Sequence, residues 1–145
     1  DIDIRFGAQA VVGRNATLIE PSQLCVVASG QGVTWETAMA LPMIQPVGLS
    51  TGWQDIGHAI GRRDWPTPLI EVDTHGLAVD LAIQGAGAAL THSLIARRAI
   101  IDRRLKTLKI PETPAIEGYY LAQNATDLPV AQQAFVRWFF DWVAA

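Results

Sequence analysis

The sequence predicts an α/β layer architecture with mainly parallel strands, and three observations lead there. Short apolar runs alternate along the chain with segments of helical period. The clearest case, Leu69 to His92 (LIEVDTHGLAVDLAIQGAGAALTH), spells strand, capped helix, glycine turn and strand in direct succession. With 145 residues, 50% of them hydrophobic, the chain can build one domain with a real core, whereas two domains would be small.

DIDIRF alternates polar and apolar side chains, so Ile2, Ile4 and Phe6 share one face of a half-buried strand that Gly7 ends. Ala8 to Asn15 reads as loop. Gln23 to Ala28 is apolar without interruption, the pattern of a strand with no wet face. After a glycine-containing connector, Trp35 to Leu41 forms a short helix and Met43 to Val47 a strand broken by Pro46. Ser50 or Thr51 caps a helix over Trp53 to Ile60, with Trp53, Ile56 and Ile60 on one side and Gly61 as its stop. Trp65, Pro66 and Pro68 turn the chain into the strand Leu69 to Asp73.

Thr74 then caps the helix Gly76 to Gln84, apolar nearly all round apart from Asp80 and Gln84 and therefore heavily buried. Gly85 and Gly87 turn the chain into the strand Ala88 to His92, and Ser93 caps a helix to Ile100. Leu105, Leu108 and Ile110 run extended toward Pro111, and Ile116 to Gln123 is a further strand. Asp127 and Pro129 open the last helix, where Gln133, Arg137 and Asp141 form a polar stripe opposite Phe135, Trp138, Phe139 and Trp142. Its apolar arc is wide enough to require more than one packing neighbour, such as another subunit or a missing segment.

A net charge of −3 argues against a nucleic-acid grip by this chain alone, and the Arg62–Arg63, Arg97–Arg98 and Arg103–Arg104 pairs read as solvated surface. The single cysteine, Cys25, lies in an apolar run and fits a buried thiol in a reducing compartment, the cytoplasm. No apolar run reaches membrane-spanning length, and nothing resembles a signal segment, so no membrane partner is expected. The chain does not begin with Met and starts just before a strand, as a fragment would.

The glycines of GAGAAL follow a helix and precede a strand, the reverse of the order in a dinucleotide fingerprint, so Gly85 is read as a helix C-terminal residue. His58, His75 and His92 fit no zinc spacing, and neither metal nor cofactor is expected. No serine elbow or flanking carboxylate pair marks a catalytic centre, so no enzyme is expected. The binding candidates are Thr74, whose helix start directs free N–H groups at an acceptor, His75 in its first turn, and Arg5 beside Phe6 on the first strand.

DIDIRFG, QLCVVAS, LPMIQPVGLSTGWQDIGHAIG, IEVDTHGLAVDLAIQGAGAAL, EGYYLAQ and AFVRWFFDWV occur in the order and spacing that resemble the effector-binding domain of LysR-type transcriptional regulators. The likeness is strongest to the glycine-cleavage-activator-like and AmpR-like branch and spans nearly the whole chain. Ile56 stands where relatives often carry a second Trp, and Ala88 where a larger aliphatic residue is usual. The resemblance implies a two-lobed, type 2 periplasmic-binding-protein-like fold with a small effector held between lobes. Residues 28–108 would form one complete lobe, with 1–27 and 109–145 the crossover strands and remnant of a lobe truncated at its N-terminal part. The family's helix-turn-helix and linker helix are missing, so operator DNA would be reached only through that absent domain.

The function expected from this resemblance is effector sensing. A small, anionic molecule would meet Thr74 and His75, with Arg5, Phe6 and Gln45 facing it from strand ends. Lobe closure would then reach the DNA-binding domains through a homodimer or homotetramer. The alternative is an exported solute-binding protein of the same broad fold, which a signal peptide in the intact gene would reveal.

Overall fold

The computed structural model describes residues 1–21, 23–30, 32–63, 70–123 and 127–144. In chain order the elements are β1 (Ile2–Ala8), α1 (Gln9–Val12), β2 (Ala16–Leu18), β3 (Leu24–Ala28), α2 (Trp35–Ala38), β4 (Met43–Pro46) and α3 (Trp53–Ala59). They continue with β5 (Ile70–Val72), α4 (His75–Ile83), β6 (Ala88–His92), α5 (Ser93–Ile101), β7 (Lys106–Leu108), β8 (Glu117–Gln123) and α6 (Val130–Ala144). The turn expected at Trp65, Pro66 and Pro68, and Leu69 of the following strand, lie outside the described residues.

The chain forms two compact units, Asp1–Pro21 with Ile116–Ala145, and Ser22–Ala115. These breaks differ from the 27/28 and 108/109 read from the sequence. The reason is β3, whose backbone pairs with β6 and β7 and so belongs to the larger unit's sheet.

In the smaller unit β8 lies between β1 and β2, antiparallel to both, with Ile2 opposite Gln123, Ala8 opposite Glu117 and Ala16 opposite Ala122. The stretch expected as loop holds α1 and leads into β2, elements too short for periodicity to reveal. Val12, Ala16, Tyr120 and Ala122 form the buried cluster. That cluster lies on the face of β1 that carries Arg5, opposite the one expected to be buried, and Ile4 remains 58% exposed. Helix α6 begins where Pro129 was expected to open it, and the Pro129 carbonyl accepts from the N–H groups of Gln132 and Gln133. None of its residues is buried, and Trp138 and Trp142 are 57% and 64% exposed.

In the larger unit the strand order is β5-β4-β6-β3-β7. Strand β4 runs parallel to β5 and β6, whereas β3 runs antiparallel to β6 and β7. The expectation of mainly parallel strands is therefore corrected to a mixed sheet. Helical crossovers α3 and α4 enforce parallel pairing only among β4, β5 and β6. Strands β3 and β7, which carry the chain into and out of the sheet, need not obey it.

Alternation along the strands sorts the core into two layers. Leu24, Val26, Met43, Ala88 and Leu90 pack on one side with Trp53 and Ile56 of α3. Cys25, Val27, Ile44 and Ala89 pack on the other with Ala78, Val79 and Ala82 of α4 and Ala96 and Ala99 of α5. Small residues on α4 and α5 let both helices approach the sheet closely. Burial pushes the Cys25 thiol from its ordinary 9.0 up to about 12. Its contribution to stability is thus complete below the unfolded value and is lost as pH rises through the folded one. A thiol reagent at mildly alkaline pH should label the native chain only as fast as it opens, which a stopped-flow thiol titration can measure.

Two expected caps move by one or two residues. Gly52, rather than Ser50 or Thr51, caps α3, and its N–H donates to Asp55 Oδ2 at 2.7 Å. His92 takes the N-cap position of α5, and Ser93 becomes its first residue, with its N–H donating to the Gln23 carbonyl at 2.9 Å. The end of α4 matches the expectation for Gly85, which sits in the left-handed region at φ 79°. Its N–H donates to the Ala82 carbonyl and that of Ala86 to the Leu81 carbonyl, a Schellman closure.

Candidate functional site

Strands β4, β5 and β6 run parallel, so their C-terminal ends gather on one edge of the larger unit. After β4 the chain leaves into α3 on one face, and after β5 and β6 into α4 and α5 on the other. Divergence of this kind opens a crevice beyond the strand ends, where open α/β sheets bind ligands. Three short stretches reach this edge: Gln45 with its following loop, Asp73 to Gly76, and Thr91 to Ser93.

Thr74 occupies the expected N-cap position, and its hydroxyl accepts from the Leu77 N–H at 3.2 Å. The side chain is exposed, and apart from the adjoining residues and the helix's own backbone no heavy atom lies within 4 Å of the point where Gly76 would carry a Cβ. The first turn of α4 therefore opens outward at Gly76. Replacing Thr74 by alanine should cost about 1 kcal/mol of stability, readable by urea denaturation.

His75 is 3% exposed and faces inward, with Nδ1 3.1 Å from the Thr91 hydroxyl. Its ring also meets that of His92 edge-on, with centroids 4.6 Å apart. Thr91 and His92 are fully buried at the end of β6. The structure thus joins the ends of β5 and β6 through a His–Thr–His cluster that sequence reading had not assembled. The only hint was two polar residues closing an otherwise apolar strand. Gln45 lies half-buried one residue before the end of β4, where its Oε1 accepts from the Trp53 N–H at 3.0 Å. That bond satisfies a donor at the start of α3, and Gln45 shapes the edge through it.

Arg5 and Phe6 stand in the smaller unit, in the middle of β1. The Arg5 guanidinium donates to Asp3 Oδ2 at 2.7 Å and to the Val12 carbonyl at 3.1 Å, beside a cavity of about 280 Å³ that Arg14, Asn15 and Gln123 also line. Phe6 packs against Tyr119, with ring centroids 4.9 Å apart. The structure therefore groups Gln45, Thr74 and His75 on one sheet edge, and sets Arg5 and Phe6 on opposite faces of a strand in another sheet. Among the described residues, no group of three or more His, Cys, Asp or Glu is placed to hold a metal, and no helix is long and apolar enough to cross a membrane.

Several solved structures share this architecture. The effector domain of the transcriptional regulator AmpR of Pseudomonas aeruginosa matches 99% of this chain over 72% of its own length, with a TM-score of 0.76 and 22% identity. The AmpR effector binding domain from Citrobacter freundii matches with a TM-score of 0.77 at 16% identity, covering 99% of this chain and 74% of its own. DarR of Vibrio fischeri, solved in complex with DNA, matches over 97% of this chain and 50% of its own, with a TM-score of 0.69 and 13% identity. At these identities the likeness establishes the fold, the type 2 periplasmic-binding-protein-like α/β architecture. No curated protein sequence matches the chain. The LysR substrate binding domain family matches residues 2–144, which decides against the exported solute-binding reading. With that match over nearly its whole length, the chain belongs to the LysR family, as the effector-binding domain of a LysR-type transcriptional regulator.

Proposed function

We propose that the effector is a small carboxylate or similar acceptor-rich molecule held at the C-terminal ends of β4, β5 and β6. The observation that carries this reading is the open first turn of α4, where Gly76 lies exposed just ahead of Leu77, whose N–H the Thr74 hydroxyl caps. Thr74 and the Gly76 N–H bind the anion, and the buried His75–Thr91–His92 cluster fixes the turn that presents them. Gln45 acts indirectly, by holding the start of α3 in place. Binding favours one conformation by its differential affinity, about 1 to 3 kcal/mol, and that shift is what a DNA-binding domain in the whole regulator reads. Such a regulator acts in the cytoplasm, as a homodimer or homotetramer, and without catalysis.

Titration calorimetry against a panel of small carboxylic acids tests the site. Gly76→Ala adds a methyl in open space in front of the turn and removes a helix glycine, so the fold should hold or gain stability. Affinity for any acid that binds should nevertheless fall about tenfold or more, as a close backbone contact is blocked. Unchanged affinity in both Gly76→Ala and Thr74→Ala would remove this turn from the site.

A further inference from the structure

We propose that the groove at the end of α5 is a docking site for an acidic, partly apolar segment of a partner protein. The observation is a segregation of charge. Arg97, Arg98, Arg103, Arg104, Lys106 and Lys109 supply six of the chain's 11 basic residues within one short stretch. With Asp102 as the one carboxylate there, the stretch carries +5, against −8 for the rest of a chain whose net charge is −3. All six cations are exposed, and Asp102 is taken by Arg98 at 2.9 Å. Among the described residues, no side-chain hydrogen bond or ion pair engages Arg103, Arg104 or Lys106. These three flank a groove of about 740 Å³ whose apolar lining includes Ile100 and Leu105.

A second observation singles out Arg103. Helix α5 closes like α4, with the Arg103 N–H donating to the Ile100 carbonyl at 3.0 Å and the Arg104 N–H to the Ala99 carbonyl at 2.9 Å. At the position Gly85 fills in α4, α5 places an arginine at φ 59°, the one non-glycine residue at positive φ among the described residues. An L side chain is strained in this conformation and glycine is not. Edge protection accounts for Lys106 on β7, the last strand of the sheet, but not for Arg103. Strain at a residue set beside crowded like charges points to a use for its side chain in binding.

Guanidinium forks take carboxylates in pairs, and acidic-motif recognition by arginine clusters follows this pattern. The apolar lining adds a requirement that a bare polyanion does not meet, and the negative remainder of the chain repels an extended duplex. A short acidic segment carrying apolar side chains satisfies both conditions.

Fluorescence anisotropy of the whole chain, at low salt, with a labelled peptide of repeated Glu-Glu-Leu tests the proposal. The peptide should bind, and Arg104→Glu with Lys106→Glu, both at exposed positions, should weaken it about tenfold or more. Arg103→Gly should also weaken binding while raising the melting temperature by about 3 °C, a combination that a merely structural role does not produce. Absence of binding, or binding unaffected by these substitutions, would overturn the proposal. Equal affinity for oligoglutamate or for duplex DNA would overturn it too, since the lining would then have no part in recognition.

Discussion

Gly87→Ala should destabilise the larger unit by about 3 kcal/mol or more, among the largest effects available to a single added methyl group. A Cβ on Gly87 would stand 2.2 Å from the Pro42 carbonyl oxygen and 3.1 Å from the Ile44 side chain. The oxygen belongs to backbone that is itself fixed, since it accepts from the Ala88 N–H at 2.9 Å where β6 joins β4. Relief would have to pull apart the parallel pair Met43–Ala88 and Ile44–Ala89. Urea denaturation should show a lower midpoint with an unchanged slope, and a midpoint equal to that of the parent chain would mean that the two strands are further apart than described.

Trp53→Ala should cost about 4 kcal/mol. The indole is 1% exposed, packs in the layer formed with Leu90 and Met43, and donates from Nε1 to the Ile44 carbonyl at 3.0 Å. The same residue receives the Gln45 side chain on its backbone N–H, so α3 is tied to β4 at two points. Trp53→Phe separates the contributions: it keeps most of the packing and leaves the carbonyl short of a donor, for a loss of about 1 to 2 kcal/mol. If Trp53→Phe proved as damaging as Trp53→Ala, the hydrogen bond would outweigh the packing, contrary to this account.

Where one segment contains both its own pattern and its own punctuation, the sequence was enough to read the structure. In α4, Thr74 caps and Gly85 stops, and both act as the residue chemistry requires. The two-lobed family fold was legible because six such segments kept their order. What escaped depended on partners far along the chain. The pairing directions of β3 and β7 follow from how strands meet in space, which periodicity does not encode. The buried face of β1 was misread because alternation marks two faces, and α1, four residues long, determines which one is covered. Gln45 and His75 were legible as polar residues near strand ends. That one holds the start of a helix and the other lies beneath the edge follows from Trp53 and Thr91, eight and sixteen residues away.

Three of the chain's five tryptophans can serve as reporters of its two units. Trp53 is sealed inside the larger unit, whereas Trp138 and Trp142 stack 6.4 Å apart on the open side of α6 in the smaller one. With Trp35 and Trp65 replaced by phenylalanine, a water-soluble quencher such as acrylamide should therefore extinguish the α6 emission first and leave a blue-shifted remainder from Trp53. Following the two components through a denaturation series would reveal whether the units melt together or one after the other.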